Sequence, residues 1–340
     1  MIRHDWLAKT LEAPLEPELP IVDPHHHLWD MDPASWGRYL PDDLLADTTA
    51  GHRVVGTVFV DCQTMYRESG PEALRPVGET EYVESVANRF RLERGERPGI
   101  CAGIVSHADL LLGELVAETL EAHVAASPRF RGIRHSTAWD AFPGALHPGS
   151  TSRPGMLLDP RFQAGFAQLA PLGLSFDAWL YHPQIPELTS VARRFPGTTI
   201  VLDHLGGPLG VGPYAGRREE IKSDWKRSMA ELATCPNVFV KLGGLVMEPM
   251  GMGFSARPVP PGSEDLARET RDYHLWAIDR FGPERCMFES NFPVDKLACS
   301  YGVLWNAFKR ISRGFDPAER KWLFSGAATR AYRLEAIPGD

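Results

Sequence analysis

Asp23-Pro24-His25-His26-His27 sets two imidazoles two residues apart, directly after the apolar run Leu19-Pro20-Ile21-Val22. A short apolar run of this kind reads as a buried strand. Side chains alternate along a strand, so His25 and His27 leave its end on one face. Asp23 is expected one step deeper on that face, and His26 points away. Two imidazoles side by side at a strand end suit one divalent metal ion or one reacting oxygen. Later segments carry more groups of this kind. Arg134-His135 closes one β-rich run, Tyr181-His182 follows another, and Asp203-His204 closes a third. Lys241 lies in a fourth, and Glu289-Ser290-Asn291 ends the last.

Such groups need a scaffold that brings distant strand ends together. β-rich runs fall at 21–27, 53–61, 99–106, 130–135, 174–180, 198–204, 237–242 and 285–291. Stretches with helical spacing lie between most of them, at 81–93, 110–122, 160–170, 185–194, 217–233 and 264–281. Gly or Pro punctuates the junctions, as at Pro128, Gly173, Pro196-Gly197, Pro236 and Gly282-Pro283. This alternation predicts an α/β chain closed into a single (β/α)8 TIM barrel over residues 1–340, with 1–18 as an N-terminal extension. An open doubly wound sheet is the alternative, but no Gly-x-Gly-x-x-Gly turn or phosphate loop is present. The reactive residue types gather at strand C-terminal ends, where barrel active sites sit.

Composition excludes several classes. A chain of 340 residues with 43% hydrophobic content can bury a large core. A net charge of -8 and the lack of a basic cluster argue against a nucleic-acid partner. Cys62, Cys101, Cys235, Cys286 and Cys299 are scattered without Cys-x-x-Cys spacing, as expected of small buried hydrophobes in a reducing cytoplasm. No signal peptide and no membrane span are visible, so a cytoplasmic location is expected.

Four motifs then carry a resemblance: Asp23–His27, Asp203-His204-Leu205-Gly206-Gly207-Pro208, Val240-Lys241-Leu242-Gly243-Gly244 and Tyr39-Leu40-Pro41-Asp42-Asp43-Leu44. From residue 19 to 333 the chain resembles the amidohydrolase-related hydrolases. It is most similar to the branch holding sugar-acid lactonases and pyrone-dicarboxylate lactonase. The resemblance implies a (β/α)8 barrel that hydrolyses a lactone or related ester-like bond with water activated at a His/Asp centre. A divalent metal assists some members and is dispensable in others. The wider superfamily also holds decarboxylases.

Two departures shape the expected site. The family usually ends its eighth strand in Gly-x-Asp-Trp-Pro, whereas this chain has Glu289-Ser290-Asn291-Phe292-Pro293. An amide cannot take a proton from water as a carboxylate can. Glu289 shares the strand parity of Asn291 and is expected to face inward one step deeper, supplying the charge. Asp295 is a third candidate. The stretch Arg131–His135 also lacks the lysine that bridges two metals in binuclear relatives. The centre is therefore expected to hold one divalent ion, zinc in the first instance, with a metal-free centre as the alternative. Lys241 matches a lysine common in the branch and is expected in a structural ion pair, with Glu289 as a partner.

The expected roles follow. His25, His27 and His182 hold the metal or the substrate carbonyl. His204 and Glu289 activate water, with Asn291 beside them. Arg134, His182, Tyr181 and Trp29 bind substrate, the arginine through paired hydrogen bonds. The loop at 28–39 and the Met- and Gly-rich loop at 245–254 read as an adaptable roof over a partly apolar small molecule. A contact between two copies of the chain is the other reading of that loop. The expected activity is hydrolysis of a lactone or related cyclic ester. Non-oxidative decarboxylation of an aromatic or unsaturated acid and a non-catalytic small-molecule binder are the alternatives.

Overall fold

A computed structural model describes residues 2–32, 36–94, 99–146 and 150–335. Its main sheet has eight strands: β1 (Ile21–His26), β2 (Val54–Val60), β3 (Gly99–Ser106), β4 (Phe130–Arg134), β5 (Ser175–Ala178), β6 (Ile200–Leu202), β7 (Val238–Leu242) and β8 (Cys286–Phe288). All are parallel and neighbour one another in chain order. The two ends of the sheet meet where His27 N donates to Phe292 O at 2.8 Å and Asn291 N to His25 O at 3.0 Å, leaving a nearly closed barrel.

Helices follow the strands in turn, beginning at Pro41–Thr48 and Val77–Arg94 and ending at Ser263–Phe281 and Tyr301–Ile311. Ile185–Arg194 shows why these segments are helical. Ile185, Leu188, Val191 and Ala192 recur at helical spacing and are buried, while two arginines close the last turn. Strands covered on both faces read as near-continuous apolar runs, and all eight residues of β3 are buried. The stretch expected as one helix at 110–122 divides instead. A 3-10 segment, Leu110–Leu115, kinks at Gly113 (φ 63°), and the α-helix begins at Val116. The N-terminal extension docks on the body, with Trp6 Nε1 donating to Arg257 O at 2.9 Å and Thr10 Oγ1 to Pro260 O at 2.9 Å. None of the described helices is long and apolar enough to cross a membrane.

The barrel interior has two layers. Val22, Val58, Ala102, Val201, Phe239 and Met287 form an apolar floor, closed by Ala327, Ala328, Ala331 and Tyr332 of the C-terminal segment. Two residues further along the strands, where side chains return to the same face, Val201 gives way to Asp203, Phe239 to Lys241 and Met287 to Glu289.

Two expectations about parity need correction. The β1–β2 register slips between Asp23 and His26. Asp23 therefore does not sit beneath His25 but accepts from Ser290 N at 2.9 Å and from the Tyr301 hydroxyl at 3.0 Å. Burial raises its carboxyl to about 6. At the other edge β8 ends at Phe288, and Asn291 adopts a left-handed φ of 54°. Asn291 and Glu289 consequently do not extend from one strand face.

Candidate active site

Glu289 is the hub. Its Oε1 accepts from His204 Nδ1 at 2.7 Å and from the His204 backbone N at 3.1 Å. Its Oε2 lies 3.0 Å from His25 Nδ1. Burial would raise this carboxyl, but the His204 and His25 rings overcome that and hold it down at about 2. Two glycines make the space. A β-carbon on Gly243 would come within 2.4 Å of Glu289 Cγ, and one on Gly244 within 2.5 Å of His204 Cβ. His204 itself takes a left-handed φ of 55° and Leu205 one of 54°, so the chain turns sharply as it leaves β6.

His25 and His27 converge as their spacing predicts, with their Nε2 atoms 3.2 Å apart. His27 Nδ1 faces the Val60 carbonyl at 2.8 Å. Burial, reinforced for His25 by Lys241 and for His27 by Arg134, pushes both imidazoles well below their ordinary value. Trp29 stacks on His27 at 5.6 Å, and its buried indole N–H has no partner among the described residues. Beneath them, Lys241 Nζ lies 2.6 Å from Asp177 Oδ2, 2.9 Å from Asp203 Oδ1 and 3.0 Å from His25 Nδ1. Burial opposes its charge, but Asp177 and Asp203 more than restore it and raise its pKa. Arg134 bridges the same layer, 3.4 Å from His25 Nε2 and 3.7 Å from carboxylate oxygens of Asp61 and Asp203.

This donor set fits one divalent cation. Among the described residues, Asp61, Asp177 and Asp203 pair with the two fixed cations Lys241 and Arg134, and Glu289 pairs with the histidines. Oδ1 of Asp177 and Oδ2 of Asp203 are buried without a hydrogen-bond donor among the described residues. His25, His204 and Glu289 offer ligand atoms within 4.8 Å of one another. The 3.2 Å between His25 Nε2 and His27 Nε2 is close to the ~3.3 Å separating two ligands of a tetrahedral zinc ion with 2.0–2.1 Å bonds.

The structure thus brings His25, His27, Trp29, Arg134, His204 and Glu289 together, but not the other expected residues. His182 accepts from Leu209 N at 3.3 Å through Nδ1 and packs edge-on to Tyr214, outside the His25–His204–Glu289 group. Burial lowers its pKa to about 4. The 3-10 turn His182–Gln184 directs it toward the β6 loop. Tyr181 donates its hydroxyl to the Ala145 carbonyl and packs with Leu209 and Met250. Asn291 Nδ2 donates to Asp295 Oδ1 at 2.8 Å. Lys241 takes Asp177 and Asp203 as its ion-pair partners in place of Glu289. Asp177 was not singled out from the sequence and Asp203 was named only within its motif, although inward alternation along β5 and β6 marks both.

The loop at 245–254 is a wall more than a roof. Leu245, Val246, Met252 and Phe254 are buried in the main core, and Gly210 N bonds Pro249 O at 2.9 Å. A cavity of about 260 Å³ opens beside it, lined by Leu209, Tyr214, Met250, Met252 and Tyr273, and none of the histidines of the centre lines it.

Comparison with known proteins places this geometry. A model of the amidohydrolase family matches residues 22–334. An uncharacterized protein of Sinorhizobium fredii is 33% identical over 337 residues, covering 93% of this chain and 99% of its own length. An L-fucono-1,5-lactonase of Burkholderia ambifaria is 30% identical over 333 residues, covering 94% of this chain and 97% of its own. The crystal structure of an amidohydrolase from Burkholderia multivorans with bound zinc superposes with a TM-score of 0.70 at 24% identity, covering 92% of this chain and 99% of that one. That last likeness speaks for the fold.

Proposed function

This chain belongs to the amidohydrolase family, and from that premise we propose that it hydrolyses a lactone at the centre formed by His25, His27, His204 and Glu289. The observation that carries the reading is the 2.7 Å contact between His204 Nδ1 and the Glu289 carboxylate. It fixes the ring with Nδ1 as donor and leaves Nε2 as a base. A water beside that Nε2 gives up its proton to His204 as its oxygen attacks the lactone carbonyl. Glu289 stabilises the resulting imidazolium. The new C–O bond forms, the ring C–O bond breaks, and His204 returns the proton to the departing ring oxygen. The product is an open hydroxy acid, which releases one proton near neutral pH.

The other residues take supporting roles. Arg134 donates to the carbonyl oxygen as negative charge develops there, which is where a fixed donor in a dry site contributes most. The Trp29 indole N–H, without a partner among the described residues, supplies a donor to the substrate beside His27. A zinc ion held by the His25–His27 pair, with His204 and Glu289 close by, would add Lewis-acid polarisation and lower the pKa of a bound water. The L-fucono-1,5-lactonase relative makes sugar-acid 1,5-lactones the first class to test.

The test is a panel of sugar-acid 1,5- and 1,4-lactones and aryl lactones, read by proton release with and without added zinc. One proton per lactone consumed, abolished by His204→Ala, is expected. Release of CO2 from an aromatic acid, with every lactone inert, would replace this reading by decarboxylation.

A further inference from the structure

The cavity beside the loop at 245–254 holds two polar groups that the reaction centre does not use. One wall is made by the loops that follow β6 and β7, joined where Gly210 N donates to Pro249 O at 2.9 Å. The other is the start of the helix Arg218–Ala233 and the middle of the helix Ser263–Phe281. Leu209, Ile221, Met250 and Met252 supply its apolar lining. Tyr273 reaches it from the second helix. Only 4% of Tyr273 is exposed, and Trp225 holds its ring edge-on at 5.0 Å. Its hydroxyl has no hydrogen-bond partner among the described residues, whereas the hydroxyl of Tyr214, also at the cavity, donates to Asp140 Oδ2 at 2.6 Å. Burial pushes the Tyr273 hydroxyl up to about 12, Glu219 and Asp272 add to that and Arg218 opposes it, so the phenol stays a donor. Arg218 opens its helix and stands exposed at the rim. The charges around it are matched: Glu220 accepts from Arg217 Nε at 2.9 Å, and Lys222 lies 2.9 Å from Glu219 and 3.7 Å from Asp272. Arg218 itself has no ion pair among the described residues.

We propose that this cavity is a second ligand site, and that it takes a small carboxylic acid with a compact apolar body. Arg218 at the rim and the Tyr273 hydroxyl further in supply donors for one carboxylate. A guanidinium presents two parallel N–H groups that match a planar carboxylate. The helix behind Arg218 has no side-chain cap at its N-terminus, and its positive end favours the same charge. Leu209, Ile221, Met250 and Met252 receive the body of the acid. A volume of about 260 Å³ falls short of the ~300–1,000 Å³ of sites for drug-sized ligands, so the occupant is a single ring or a short branched chain. A bare phosphate fits less well. It would leave the apolar lining uncovered, and two backbone N–H groups of the wall are already bonded, Gly210 N to Pro249 O and Gly251 N to Glu248 O. None of the histidines of the centre lines the cavity, so this site is separate from the one that holds His204.

The site does not depend on the lactonase reading, and its test reads binding alone. Benzoate is titrated into the full chain and followed by ligand-observed NMR. Benzamide serves as its uncharged counterpart and inorganic phosphate as a bare anion. Benzoate should bind with a Kd on the order of 1 mM, as suits a ligand of about nine heavy atoms. Arg218→Gln, at an exposed position, should weaken it about tenfold or more, the usual loss for a hydrogen bond to a charged group. Tyr273→Phe keeps the packed ring, removes only the hydroxyl and should weaken benzoate by about three- to tenfold. Benzamide should bind about tenfold more weakly than benzoate, and phosphate should not displace it. Arg134→Gln, in the reaction centre, should leave benzoate affinity unchanged. Absence of benzoate binding up to about 10 mM would overturn the proposal. So would unchanged affinity in folded Arg218→Gln and Tyr273→Phe proteins, or a loss in Arg134→Gln instead, which would put the acid in the reaction centre. Benzamide binding as tightly as benzoate, or displacement of benzoate by phosphate, would overturn it equally.

Discussion

The two ends of one barrel interior obey opposite rules, although the same strands build both. At the floor, Val22, Val201, Phe239 and Met287 pack against Ala327, Ala328, Ala331 and the ring of Tyr332. One alternation step toward the mouth, Asp203, Lys241 and Glu289 replace them in full burial. Burying an unpaired charge costs several kcal/mol, so the upper layer exists only because its ions pair and hydrogen-bond across strands. The floor is held by contacts that any apolar group of similar volume would make. The mouth is held by contacts that only particular atoms at particular distances make. Stability should therefore be sensitive at the floor and chemistry at the mouth, and this contrast can be broken experimentally.

The largest effect is expected where the mouth offers no substitute. His25 and His27 meet through their Nε2 atoms, and each is fixed by a different partner, Lys241 and the Val60 carbonyl. His27→Ala removes one of the two converging atoms and exposes no new charge. Lactone turnover should fall to background while circular dichroism and the melting temperature stay near those of the unsubstituted chain. Near-normal turnover would remove the pair from the centre.

Next in size is Glu289→Gln. A carboxylate that orients and charges a base loses both roles as an amide, and losses of this kind are typically about 10²–10⁴-fold. The drop should fall on kcat more than on KM, because Glu289 touches the histidines and is fully buried. A change of less than threefold in kcat would show that the His204–Glu289 pair is structural.

How far these ends were legible in the sequence depends on alternation. Where a strand stays regular, as in β6 and β7, counting by twos from the apolar floor leads to Asp203 and Lys241. The same count failed where backbone geometry interrupts it. The register slip in β1 turns Asp23 toward Tyr301, and the left-handed Asn291 breaks the parity it seemed to share with Glu289. His182 was placed by its distance from a strand end, but a 3-10 turn decides where such a side chain goes. The Tyr332 contact with Asp177 spans 155 residues, and no local pattern announces it. The apolar loop at 245–254 read as a roof because its composition suits one, yet composition does not distinguish a flexible cover from a packed wall.

At the floor the balance should reverse. Phe239→Ala leaves a cavity among Val201, Met287 and the C-terminal alanines, and buried Phe→Ala changes typically cost about 3–5 kcal/mol. The melting temperature should fall clearly, while kcat and KM, measured well below it, stay within a few fold. A loss of turnover as large as that of Glu289→Gln, in protein shown to be folded, would mean that the two layers are not separable.

The smallest effect should come from Asn291, which sits at the mouth yet outside the imidazole–carboxylate group. Its Nδ2 bonds Asp295 Oδ1 at 2.8 Å, and its φ of 54° lies in a region that asparagine tolerates better than most residues. Asn291→Ala removes one hydrogen bond and adds modest backbone strain, so turnover should fall by no more than about tenfold, well short of the Glu289→Gln loss. Asn291→Asp restores the family's carboxylate and tests the same point from the other side. Burial already pushes the Asp295 carboxyl well above its ordinary value, and Glu289 nearby adds to that shift. A further carboxylate there would meet two acidic neighbours, which raises its own pKa and disfavours its charged form. Turnover near neutral pH should therefore not rise. If Asn291→Asp instead accelerated lactone hydrolysis strongly, Glu289 would not have taken over the missing charge, and the chain would be better read as a small-molecule binder that has lost its base.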